Sequence, residues 1–129
     1  LSIIGIVAAT AAGMILGALW YSPLLFGRAW MESIGKTEEE LGSARGPMIG
    51  SVLACLLTAL ALGFLLSAAG VRSPGDGALL GLVVGLGIVF PALLSDNLFC
   101  GWGRRLLLIQ SGYRVLYIVV MSVILTALA

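Results

Sequence analysis

The chain has 129 residues, 60% of them hydrophobic and 10% charged, with a mean hydropathy of +1.15. A soluble domain carries about 25% charge, so this composition excludes a water-facing globule and marks an integral membrane protein. A net charge of +1 gives no basic surface for nucleic acid, and the absence of histidine removes the commonest general base and metal ligand.

A helix crosses a bilayer core with about 20 apolar residues. The first segment of that kind runs from Ile3 to Tyr21. Gly5, Ala9, Gly13 and Gly17 fall four apart on it, a spacing that lets helix backbones approach closely in lipid. It has no basic start, so a resident span is expected rather than a cleaved leader.

Residues 22–47 carry seven of the 13 charges. Trp20 and Tyr21 suit the headgroup level, and Phe26, Trp30 and Trp102 are expected to serve as further interface anchors. Ser22-Pro23 reads as a helix start and Gly35 as its stop. Phe26, Trp30 and Ile34 share one face, and Arg28, Glu32 and Lys36 share another. This predicts a short amphipathic helix lying in the membrane surface. Thr37 and Glu40 form a capping-box pattern for a second short helix, expected from Glu38 to about Arg45 and broken by Gly46-Pro47.

The second span runs from Met48 to Ala69, and GVRSPGDG is a tight polar turn. The third span runs from Ala78 to Phe99, with Gly77, Gly81 and Gly85 again four apart and Pro91 expected to bend it or free a carbonyl nearby. The first and third spans are the expected central pair, within one subunit or across a dimer. Ser22–Gly27 and Ser95–Gly101 share S-x-x-L-F with glycine behind it, a faint sign of a parallel two-helix repeat. Cys55 and Cys100 show no CxxC spacing and read as apolar fillers, with a disulfide or metal pair as the alternative.

The fourth span runs from Leu106 to Leu128. Polar residues gather at one end of the last two spans: Asp96 and Asn97, then Gln110, Tyr113 and Arg114. Arg114 lies ten residues past Arg104, about 15 Å deeper on a continuous helix. A charge at that depth needs a partner or water. Asp96 and Arg114 are therefore expected as near neighbours, with Asn97, Gln110 and Tyr113 around them. The group reads as a clasp fixing helix register, as a polar site open to the cytoplasm, or as surface residues of a span that starts later.

The whole of 1–129 is thus expected to be one all-α domain, a four-transmembrane-helix bundle with an interfacial helix between the first two spans. Arg28, Lys36, Arg45, Arg104 and Arg105 lie in the first and third links, against Arg72 alone on the other side. The positive-inside bias puts residues 22–47 and 100–105 in the cytoplasm and both termini outside.

LWYSPLLFGRAWM and NLFCGWGRRLLLIQSGYRVLYIVVMSVIL together resemble domain of unknown function 1761, a family of small bacterial integral membrane proteins. Trp20, Tyr21, Ser22, Pro23, Phe26, Gly27, Trp30, Asn97, Leu98, Phe99, Gly112 and Tyr113 carry the likeness. It implies a four-helix protein of a bacterial cytoplasmic membrane and no established activity. The family pattern more often has Asn at 110 and an apolar or aromatic residue at 114, so the likeness does not extend to Arg114.

Three function classes fit. The first is a non-enzymatic protein acting by association, as a homo-oligomer or accessory subunit, with membrane lipids and membrane proteins as partners. The second is a small transporter or channel with a polar site near Asp96 and Arg114. The third is a membrane enzyme acting on a lipid or quinone, for which only Asp96 offers an acid near the membrane, with Arg114 and Tyr113 as helpers. No cofactor is expected, because no phosphate loop, dinucleotide fingerprint or zinc spacing appears.

Overall fold

The structure, a computed structural model, describes residues 2–43 and 45–129. Among them there are seven α-helices: α1 (Ile3–Trp20), α2 (Gly27–Ile34), α3 (Glu38–Leu41), α4 (Arg45–Ala68), α5 (Pro74–Val84), α6 (Phe90–Cys100) and α7 (Arg104–Ala127). A π-helical segment, Gly85–Val89, joins α5 to α6, so Pro74–Cys100 is one continuous span. With α1, α4 and α7 it makes four helices long and apolar enough to cross a membrane.

Local signals account for the ends of these helices. Ser73 accepts from the Asp76 amide and Pro74 occupies the first turn of α5, where its missing N–H costs nothing. Thr37 likewise accepts from the Glu40 amide at the start of α3. Gly35 ends α2 and Gly101 ends α6, both at positive φ, where a Cβ would be strained. The chain after α3 breaks at Gly42, not at Gly46-Pro47. Pro47 instead lies in the opening turn of α4, a position that tolerates proline because those amides have no intrahelical partner.

The last span is the central one. α7 packs against α1, α4 and the third span. The glycine faces of the first and third spans, expected to pair with each other, instead close on α7 from different sides. A Cβ on Gly13 would meet Tyr117 and the Cys55 thiol, and one on Gly17 would press on the Tyr113 hydroxyl. A Cβ on Gly77 would strike Thr126, one on Gly81 the Val119 backbone at 2.9 Å, and one on Gly85 Val115 at 3.2 Å. The end of α1 at Gly5 lies beside Leu128. The larger side chains of α7 fill the space that glycine concedes.

α4 completes the core with Cys55, Ala59, Leu62 and Leu66, packed with Tyr113, Tyr117, Met121 and Leu125 of α7. The Thr58 and Tyr117 hydroxyls pair at 3.0 Å.

The π segment sets the azimuth of everything after it. Within it the Phe90 amide reaches back five residues to the Gly85 carbonyl. Counting 3.6 residues per turn from Gly85 brings Asp96 toward α7. One extra residue in the turn rotates the remainder of the span by about 100° and brings Asn97 there instead. Asn97 is buried and Asp96 exposed. The two S-x-x-L-F stretches also differ in conformation: Ser22–Phe26 is a non-helical turn, whereas Ser95–Phe99 lies in α6.

Candidate functional site

The WYSPLLFG stretch folds as a tight reversal that swings the chain from α1 onto α2. The Phe26 amide donates to the Trp20 carbonyl and the Gly27 amide to the Ser22 carbonyl. A Cβ at Gly27 would fall 2.5 Å from the Tyr21 carbonyl oxygen, so the turn closes only around glycine. The helix therefore starts at Gly27, not at Ser22-Pro23. Its charged face is exposed, and Arg105 at the start of α7 donates to Glu32 at 3.0 Å, tying α2 across that end of the bundle.

The rings of this region, expected at the headgroup level, pack on the protein. The Trp20 indole N–H donates to the Ile109 carbonyl at 2.9 Å, and its ring lies against Gly112. Phe26 tilts against Trp20. Tyr21 stands edge-on to both Trp30 and Tyr113, each at 5.5 Å between centroids. Tyr113 stacks on Tyr117 at 5.1 Å and donates its hydroxyl to the Gly13 carbonyl at 2.8 Å. Trp102 is the ring of the set that stays exposed with no ring partner among the described residues.

Under α2 lies a cleft of about 420 Å³ between α1, α4 and α7. Its walls are Met14, Gly17 and Ala18 from α1, Pro47, Met48, Ser51 and Cys55 from α4, and Tyr113 and Arg114 from α7. Tyr21 and Trp30 close the α2 end. Among the described residues no carboxylate lines it. The Arg114 guanidinium carbon sits 5.0 Å from the Tyr113 ring centroid and 5.2 Å from that of Tyr117. Ring faces attract a cation in this arrangement, and they hold the guanidinium in the cleft without neutralising it.

α4 makes the cleft by leaving the bundle. From Arg45 to Ala54 every residue of this helix is exposed; the first buried one is Cys55. A Cβ on Gly46 or Gly50 would meet nothing within 4 Å. The cleft is therefore open sideways, between α1 and the upper half of α4.

The five polar residues expected together are divided. Tyr113 and Arg114 line the cleft. Asn97 donates its amide to the Gly103 carbonyl at 3.0 Å and closes the α6–α7 turn, a structural duty. Gln110 is half-buried outside the cleft walls. Asp96 makes no ion pair with Arg114: the one such pair among the described residues joins Arg105 and Glu32. The rotation imposed by the π segment is the reason. Nothing in the sequence marked Met14 and Ser51, and Pro47 and Met48 read only as a helix break and the start of a span, because apolar and small residues there look like any other lipid-facing helix. Cys55 is a free, buried thiol 3.7 Å from the Met14 sulfur, and Cys100 is free and exposed. No group of three or more metal-binding side chains occurs among the described residues.

A broader hollow between α2 and α3 is lined by Arg28 and Lys36 but also by Glu32 and Glu39. Its charges cancel, and it selects no ligand charge.

The comparisons with known proteins give a family and no activity. The family described as "Protein of unknown function (DUF1761)" matches residues 4–126, nearly the whole chain, and the chain belongs to it. No curated protein and no solved structure matches.

Proposed function

We propose that this member of a family without an assigned activity is a membrane-embedded binding protein whose ligand is an anion held at Arg114. One observation carries the reading. A guanidinium about 15 Å along α7 from Arg104 faces a cleft that contains no carboxylate among the described residues. A charge at such depth is costly unless it is matched, and it marks a site by default. Arginine presents a planar fork of donors, suited to two oxygens of a phosphate or carboxylate.

Binding rather than catalysis is the reading because the walls offer a cation, hydroxyls and a thiol, and among the described residues neither a histidine nor a carboxylate, the groups that most readily move a proton near neutral pH. The reading takes the host membrane to be a bacterial cytoplasmic membrane, with α2 on the cytoplasmic side as the positive-inside bias favours.

The test is the melting temperature of the protein in a neutral detergent with octyl phosphate added, against octyl glucoside of the same chain length. A ligand that binds only the folded state stabilises it by mass action. The expected result is a rise with octyl phosphate in the parent and little rise in Arg114→Gln. Equal rises in both proteins would sink the reading.

A second reading is association, as a homo-oligomer or accessory subunit. Asp96 favours it: an exposed carboxylate near the end of the third span, without an ion-pair partner in its own chain among the described residues. The mass of the particle by native mass spectrometry tests it. A monomer with no bound protein would count against it.

A further inference from the structure

We infer that the anion bound at Arg114 is the phosphate of an acidic phospholipid that enters sideways from the bilayer, between α1 and the upper half of α4. The inference rests on the anion-binding reading and names the ligand class.

The route is the first argument. At the aqueous end the cleft is covered: Trp30 packs edge-on against Tyr21, and the Arg105–Glu32 pair holds α2 to α7. Toward the hydrocarbon it is open, because α4 touches nothing from Arg45 to Ala54 that would bury it. A soluble anion would have to pass α2, whereas a lipid in the same leaflet already lies beside the gap.

The shape of the cleft is the second. On α1 it runs from Tyr21 to Met14, about 10 Å of helix, and on α4 from Pro47 to Cys55, about 12 Å. It thus extends from the headgroup boundary into the acyl region. Its volume of about 420 Å³ lies within the range that takes a small ligand. Met14, Ala18 and Met48 supply an apolar wall for the first carbons of a chain, and Arg114 and Ser51 add polar groups to the lining.

Charge complementarity is the third. A phosphate supplies the counter-charge that the cleft lacks. A zwitterionic headgroup would bring an ammonium as well, and among the described residues no carboxylate in the cleft could receive it. An acidic lipid without that ammonium fits better.

The experiment reconstitutes the full chain in nanodiscs of equal phosphatidylglycerol and phosphatidylcholine. The protein is then transferred to neutral detergent, and the retained lipid is read by native mass spectrometry. The parent should hold phosphatidylglycerol in at least tenfold preference to phosphatidylcholine. Arg114→Gln should lose that preference. Ser51→Trp, which keeps the charge and plugs the gap, should lose retained lipid altogether, with both variants first shown to melt cooperatively. Retention of both lipids alike by the parent overturns the inference, as does undiminished preference in Arg114→Gln. Should octyl phosphate stabilise the parent through Arg114 while no phospholipid is kept, or only added oleate is kept, the anion site stands and the phospholipid assignment fails.

Discussion

The two halves of α4 have opposite fates. From Cys55 onward the helix buries Cys55, Ala59, Leu62, Gly63 and Leu66; above Cys55 it buries nothing. The difference lies in what stands opposite. The lower half faces Met121, Leu125 and Tyr117, which fill the space between three helices. The upper half faces Gly17, Ala18 and Arg114, two small residues and a charge. Lipid is as apolar as leucine, so helices in a membrane stay together only where shapes match. Apolar sequence alone does not close a bundle, and a site can arise simply where the match stops.

Substitutions can break this contrast or sharpen it. The largest effect is expected at Gly81→Leu, whose Cβ alone would lie 2.9 Å from the Val119 backbone. Backbone cannot step aside as a side chain can, so a loss of about 3 kcal/mol or more is expected. Loss of a cooperative melt in detergent would report it. Next come paired changes on α4. Ala59→Leu should cost about 1–3 kcal/mol, because the site is fully buried. Ser51→Leu, the same kind of enlargement eight residues earlier, should stay within about 0.5 kcal/mol. Equal losses at the two positions would mean that the halves are not different after all.

Tyr113→Phe keeps the ring stack and removes the bond to the Gly13 carbonyl. About 0.6–1 kcal/mol should be lost, measured by the shift in melting temperature. The smallest effect belongs to Glu32→Gln. The Arg105–Glu32 pair is well exposed on both sides, so its loss should change stability by less than about 1 kcal/mol. Any change should vanish at high salt, and a loss that persists in salt would assign α2 a firmer attachment than this pair gives.

The four spans, the helix stop at Gly35 and the cap at Thr37 were legible, the last two because each depends on residues within one helical turn; Pro74–Gly77, which read as part of a polar turn before a span starting at Ala78, instead form the first turn of α5, capped by Ser73. Glycine spacing announced close approach but not to which helix, since a concave face does not name the convex one that fills it. The depth of Arg114 followed from counting along one helix. Its neighbours did not, because Asp96 lies beyond a π turn; Pro91, two residues past that turn, marked an irregularity in the span but not the rotation it brings. Trp20 read as a headgroup anchor, yet its indole donates to Ile109, a bond spanning 89 positions of chain. The cleft walls on α4 were invisible for a simpler reason: unoccupied space has no residue code.

That α7 is central bears on the order in which the molecule is made. The helix that both glycine faces require is the last of the four spans to leave a ribosome. At about 5–20 residues per second, α1 waits on the order of ten seconds in the membrane before its partner exists. During that time Gly13 and Gly17 have no Tyr113 or Tyr117 to receive. α1 and α4 can meet beforehand at Gly13 and Cys55, but the core of the protein cannot close until α7 is made. It closes in one late event, and nascent chains stalled before Arg104 should be the ones most exposed to quality-control proteases.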